Sequence, residues 1–229
     1  MHRRSERGWI VTGAAANVIE LAGRLGAATG ASTDGIHQTA ELVLASGETR
    51  TIELGRLHYR RSEQSWADAG SPTASIAFRA TRDALHVAIL VPKSEWTFAP
   101  SAAENRYDNE HADVNGDGVQ LHLRTAEGAA HWMLVPEVAT NNVRVRPIGG
   151  TAKSSPPRAS WRTVDTGYRM DVDITPVPVA LDVIVNEMPA GRERRRGQLV
   201  LSGADGEFVY LRGDRHDLSR LISVRVVDD

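Results

Sequence analysis

The sequence predicts an all-β protein: an antiparallel two-sheet β-sandwich, jelly-roll-like, with a short N-terminal helix. Three observations carry this expectation. About ten short segments alternate apolar and polar residues with a period of two. Glycine, proline and Asx turn signals separate them. Only one stretch has convincing helical spacing, and many short strands with so little helix are the mark of a sandwich.

Val18, Leu21 and Leu25 recur at helical spacing ahead of Gly26, which predicts a short amphipathic helix over 14–25. Ile36 to Leu44 alternates and leads through Ser46, Gly47 and Glu48 into Thr51 to Leu54, a predicted β-hairpin with Leu57 to Arg61 as a candidate extension. Gly70, Ser71 and Pro72 mark a break. Residues 1–65 are therefore expected to form a helix-and-hairpin extension packed on a sandwich of residues 66–229. Within that sandwich, Ile76 to Ala80 and Leu85 to Val91 flank one turn, Val119 to Leu123 and His131 to Val135 a second, and Trp161 to Val164 and Tyr168 to Ile174 a third. Val143 to Arg146, Leu181 to Val185, Gln198 to Ser202 and Phe208 to Arg212 complete the predicted sheets.

The 229 residues suffice for a full core, and 41% hydrophobic with 24% charged residues is ordinary for a globular chain. A net charge of −2 gives no reason to expect a nucleic acid partner. The absence of cysteine excludes disulfides and thiolate catalysis. No apolar run is long enough to span a membrane. The basic start at Arg3, Arg4 and Arg7 is followed by an apolar run broken at Thr12 and Gly13 and closed by Glu20, so a cytoplasmic chain without a processed signal is expected.

The densest polar stretch runs from Arg106 to Asp117 and turns through Gly118 into the strand starting at Val119. Asp113, Asn115 and Asp117 with Gly118 match the opening of an EF-hand loop, but Arg124 stands where the final bidentate Glu belongs and a strand follows instead of a helix. Two readings stay open: a calcium site of another kind on Asp113, Asn115 and Asp117, or Asx side chains capping a tight turn.

Four segments in order resemble the family-9 carbohydrate-binding modules and the wider DOMON-like β-sandwich superfamily. They are Ala77 to Val91, Gly116 to Leu121, Gly167 to Pro176, and Leu181 to Glu187 continuing through Arg192 to Ser202. The resemblance covers roughly residues 66–215 and implies a two-sheet sandwich that binds sugars, often with structural calcium. Leu201 stands where the family's sugar binders tend to place a tryptophan, and Gln120 replaces a family glutamate.

Sugars are held by aromatic faces and planar polar groups. Trp96, in a long polar loop, and Asn186, Glu187 and Arg192, at the entry to an arginine-rich turn, are therefore expected to border one ligand surface. Trp132 and Trp161 suit a core, and Trp66 and Trp9 suit its cover. His131 and Met133 share a strand face, as a haem axial pair in a DOMON-like domain would, but haem is disfavoured because no attachment motif is present. Catalysis finds little support: HExxH and the nucleophile elbow are absent, and Asp171 and Asp173 are simply two apart on one strand. The leading expectation is a non-catalytic binding module for a carbohydrate or related polar ligand. The alternative is a docking subunit with a protein partner, for which the arginine-rich turn supplies anchors.

Overall fold

The computed structural model describes residues 41–105, 111–151, 154–189, 194–209 and 217–227. The predicted helix over 14–25 and Trp9 lie outside them. Two sheets face each other. The first carries β1 (Glu41–Ala45), β13 (Ile222–Val227), β11 (Ala180–Glu187), β6 (Gly118–Thr125), β7 (Gly128–Glu137) and β8 (Asn142–Gly150), in that order. The second runs β2 (Thr49–Leu54), β4 (Ala74–Ala80), β5 (Leu85–Pro92), β10 (Gly167–Ile174) and β9 (Arg158–Val164). The edge of β11 that does not meet β6 is shared. Its first residues pair with β13, and Ile184 to Glu187 pair with β12 (Gly197–Val200), which in turn holds β3 (Tyr59–Arg61).

The three predicted hairpins form as β4–β5, β6–β7 and β9–β10. The pairing of the first two strands differs from expectation. β1 joins the first sheet, parallel to β13, whereas β2 joins the second sheet, antiparallel to β4. The Ser46 to Glu48 turn is thus an arch between sheets. Ser46 N–H donates to Val227 O and Gly47 N–H to Ala80 O, and the arch needs Gly47 at φ +80°. The sandwich therefore includes one parallel pair, and among the described residues its first strand is Glu41–Ala45.

Alternation builds the core. Ile76, Phe78, Val87, Ile89, Met170 and Val172 of the second sheet meet Val119, Leu121, Val183, Val185 and Leu199 of the first, all essentially inaccessible. Each contributes about 1.5–3 kcal/mol relative to exposure. β11 is buried at every position and β6 at its first six, so the central strands of the first sheet are covered on both faces. Polar side chains pointing away from the core there have to be satisfied by one another. No helix among the described residues is long and apolar enough to cross a membrane.

Candidate functional site

Just past β5, Lys93 turns inward. Its Nζ donates to Asp117 Oδ1 (2.5 Å), Glu187 Oε2 (3.3 Å) and Met188 O (2.6 Å). Asp117 is fully buried and also accepts from Met188 N–H (2.9 Å) and Thr97 N–H (2.6 Å). One ammonium thus serves two buried carboxylates. Burial pushes Asp117 above the usual carboxylate range against the lowering effect of Lys93, and burial does the same to Glu187, where Lys93 pulls down and Asp117 pushes up. The buried phenol of Tyr168 lies well above its ordinary value, through burial first and then these two carboxylates.

Lys93 therefore ties the Trp96 loop and the end of β11 to one end of the sandwich. The expected shared surface is only partly assembled. Trp96 is half-buried, stacked on Phe98 (ring centroids 6.3 Å) and edge-on to Tyr168 (6.3 Å), and Phe98 meets Trp161 (5.4 Å). This aromatic group seals the core. Glu187 faces the same side, but successive strand residues point to opposite faces, so Asn186 projects to the other face of the first sheet. Arg192 lies outside the described residues. Its neighbours Arg195 and Arg196 are tied into the fold rather than solvated: Arg195 is buried and donates to Val114 O (3.1 Å), and Arg196 donates to Ala69 O.

The predicted calcium ligands are also divided. Asp113 is fully buried and grips Arg146 bidentately, accepting from Nε (2.9 Å) and Nη2 (2.6 Å). Asp117 belongs to Lys93. Asn115 lies in the 3-10 turn Ala112–Asn115 between them. With both carboxylates committed to protein cations, this donor set does not fit calcium, and the described residues contain no cluster of three or more His, Asp or Glu able to hold a metal. Excess calcium or a chelator is expected to leave the melting temperature unchanged. A calcium-dependent rise would show that the ion displaces Arg146 or Lys93.

Asn186 takes part in a ladder that crosses five strands, β3, β12, β11, β6 and β7. Its Oδ1 accepts from Gln120 Nε2 (3.1 Å) and Gln198 Nε2 (3.0 Å), and Gln198 Oε1 accepts from Arg60 Nη1 (3.2 Å). At the other end, His122 Nε2 lies 3.4 Å from Gln120 Oε1 and its Nδ1 lies 3.0 Å from His131 Nδ1. Since Gln120 Oε1 can only accept, His122 Nε2 donates, and in the neutral ring His122 Nδ1 accepts from His131. Arg60, Gln198, Asn186, Gln120 and His122 are all buried. The ladder is an internal brace of planar polar groups, and Met133 is packed fully buried beside it. The second carboxylate pair, Asp171 and Asp173, is likewise engaged. Asp171 pairs with Arg169 (2.7 Å) and Arg162 (3.3 Å), and His86 Nδ1 sits 2.8 Å from Asp173.

An open site is found elsewhere, where sequence reasoning placed only a core cover. A recess of about 290 Å³ is lined by Tyr59, Arg56, Arg61, Trp66 and Asp205, at the lower end of the range for small-ligand sites. The 3-10 turn Arg56–His58 and β3 form one wall. The opposite wall is pinned to them, because Ala204 and Asp205 N–H both donate to Leu57 O and Gly206 N–H to Tyr59 O. Trp66 packs one side against the core while its indole N–H donates to Pro72 O (2.9 Å), which fixes the ring. The Arg61 guanidinium lies 3.9 Å from the centre of the Phe208 ring. Arg56, Arg61 and Asp205 form no side-chain hydrogen bond or ion pair among the described residues, and Arg61 Nε is buried without a partner. A fixed indole with adjacent uncommitted polar groups is what a polyhydroxylated ligand requires.

No family model matches the chain, and no curated protein matches it in sequence. Solved structures do match in fold. A family-9 carbohydrate-binding module from Caldicellulosiruptor kristjanssonii in complex with glucose is similar at a TM-score of 0.50 and 12% identity, over 82% of this chain and 96% of that one. A family-9 carbohydrate-binding module from the same organism in complex with cellotriose gives a TM-score of 0.50 at 12% identity, over 82% of this chain and 94% of that one. The protein thus has the β-sandwich fold seen in family-9 carbohydrate-binding modules, as the four sequence segments suggested.

Proposed function

We propose that this protein is a non-catalytic carbohydrate-binding module that takes a saccharide in the recess beside Trp66. The observation that carries the reading is the recess itself, which is open and aromatic-walled, with Arg56, Arg61 and Asp205 uncommitted among the described residues. The likeness in fold to a module seen with glucose and with cellotriose supports it. The non-catalytic part is supported by the engagement of the strand-paired carboxylates Asp171 and Asp173 with Arg169, Arg162 and His86. A sugar would lay its C–H face on the indole and its hydroxyls toward the polar rim.

Calorimetric titration with soluble oligosaccharides, guided by a glycan array, tests the proposal. Saturable binding is expected, with Trp66→Ala weakening it by about 1–3 kcal/mol, roughly tenfold or more. Circular dichroism on the variant separates this from a loss of fold. A folded wild-type protein that binds no saccharide at millimolar concentration removes the proposal.

A further inference from the structure

We infer that the recess selects a saccharide bearing a carboxylate, that is, a uronic acid residue; this deepens, and rests on, the carbohydrate reading above. Two arginines line a recess of about 290 Å³, and neither forms an ion pair or side-chain hydrogen bond among the described residues. Four other half-buried arginines are each paired with a carboxylate: Arg146 with Asp113, Arg169 with Asp171, Arg144 with Glu137, Arg220 with Glu207. Half-buried Arg61 departs from that pattern, and the exposed Arg56 lies on the same lining. A neutral sugar filling the recess would take water from them and give back only hydroxyls. A carboxylate would supply the planar, two-oxygen acceptor that a guanidinium fork matches.

Arg61 is held ready for this role. Its guanidinium is stacked on Phe208, and its backbone is fixed in β3, where Arg61 N–H donates to Glu207 O (2.8 Å) and the residue pairs with Gly197. Little side-chain freedom remains to be lost on binding. Asp205 narrows the ligand class. It sits on the same lining and forms no ion pair among the described residues, so it would repel a compact multivalent anion such as phosphate or sulfate while accepting hydrogen bonds from sugar hydroxyls. One carboxylate with several hydroxyls satisfies all three charged groups and leaves the Trp66 face for the ring carbons.

Titrating the full chain with methyl β-glucuronide, methyl β-glucoside and inorganic phosphate, read by calorimetry and by the Trp66 indole NMR signal, tests this. The glucuronide is expected to bind about tenfold or more tighter than the glucoside, with a preference that shrinks as salt rises. Arg61→Gln is expected to reduce that preference to near unity. Arg56→Gln, at an exposed position where folding is not at risk, is expected to reduce it several-fold. Equal affinity for glucuronide and glucoside overturns the charge preference and leaves the carbohydrate reading standing. Phosphate binding as tight as glucuronide also overturns it, by making the recess a plain anion site. An unmoved Trp66 signal with either sugar defeats both readings together.

Discussion

Replacing Lys93 with methionine is expected to destabilise the protein by about 3–5 kcal/mol at neutral pH, the cost of leaving buried charge without its partner. The substitution removes the single cation between Asp117 and Glu187, both essentially closed to water. The pH dependence identifies the cause. Burial holds both carboxylates above their ordinary values even in the wild type, so the folded state binds protons more readily than the unfolded one. Their contribution to stability therefore improves as pH falls through the raised folded values and levels off below the unfolded value. Without Lys93 the gain on acidification grows, and the deficit of the variant should narrow between neutrality and about pH 5. Urea denaturation across that range is the measurement. A deficit that stays constant with pH would mean that lost packing, not unpaired charge, is responsible. Asp171 acts in the opposite sense and in a lower window. Burial raises it, but Arg169 and Arg162 outweigh that and hold it low, so its contribution is present above the ordinary carboxylate value and fades as pH falls through the lowered one.

Gly167→Ala should cost about 3 kcal/mol or more, at or beyond the upper end for overpacking. A Cβ at this position would stand 2.0 Å from Val91 O and 2.7 Å from Lys93 N. Both are main-chain atoms with no rotamer to yield. Lys93 N–H is itself bonded to Thr166 O (2.8 Å), so relief requires opening the end of the β5–β10 ladder and displacing Lys93 with it. Gly55→Ala is the natural control, since nothing lies within 4 Å of its added Cβ, and it should change stability by no more than about 0.5 kcal/mol. Similar denaturation midpoints for the two variants would show that the ladder end yields freely.

Much of the fold was legible because hairpins are local. β4–β5, β6–β7 and β9–β10 each join two alternating runs across a short turn, so period and turn chemistry suffice to pair them. Partners distant in sequence leave no such mark. β13 pairs with both β1 and β11, and the predicted sheets ended before it, at Arg212. The site was harder to read for a related reason. Asn186 and Glu187 are neighbours in sequence, yet strand alternation sends one into the amide ladder and the other to Lys93. Lys93 was one lysine in a loop. The three positions of the ladder that could have been found, Gln120, Asn186 and Gln198, are the polar residues at outward positions of three adjacent strands. Trp66 looked like a core cover and is one; its second face shows only once β3 and the turn at Asp205 are folded beside it.

The parallel pairing of β1 with β13 also sets how the sandwich would bear tension. Both strands run the same way, with Glu41 opposite Ser223 and Ala45 opposite Val227. A pull applied at Glu41 and at Val227 acts in opposite directions along the strand axes, at opposite ends of the ladder. The inter-strand hydrogen bonds are then loaded in shear and must fail together, rather than parting one after another as a hairpin unzips. The bidentate bridge from Arg225 to Glu41 (2.8 and 3.1 Å) lies across the same seam and shares that load. The chain therefore closes this edge of its sheet with a mechanical clasp.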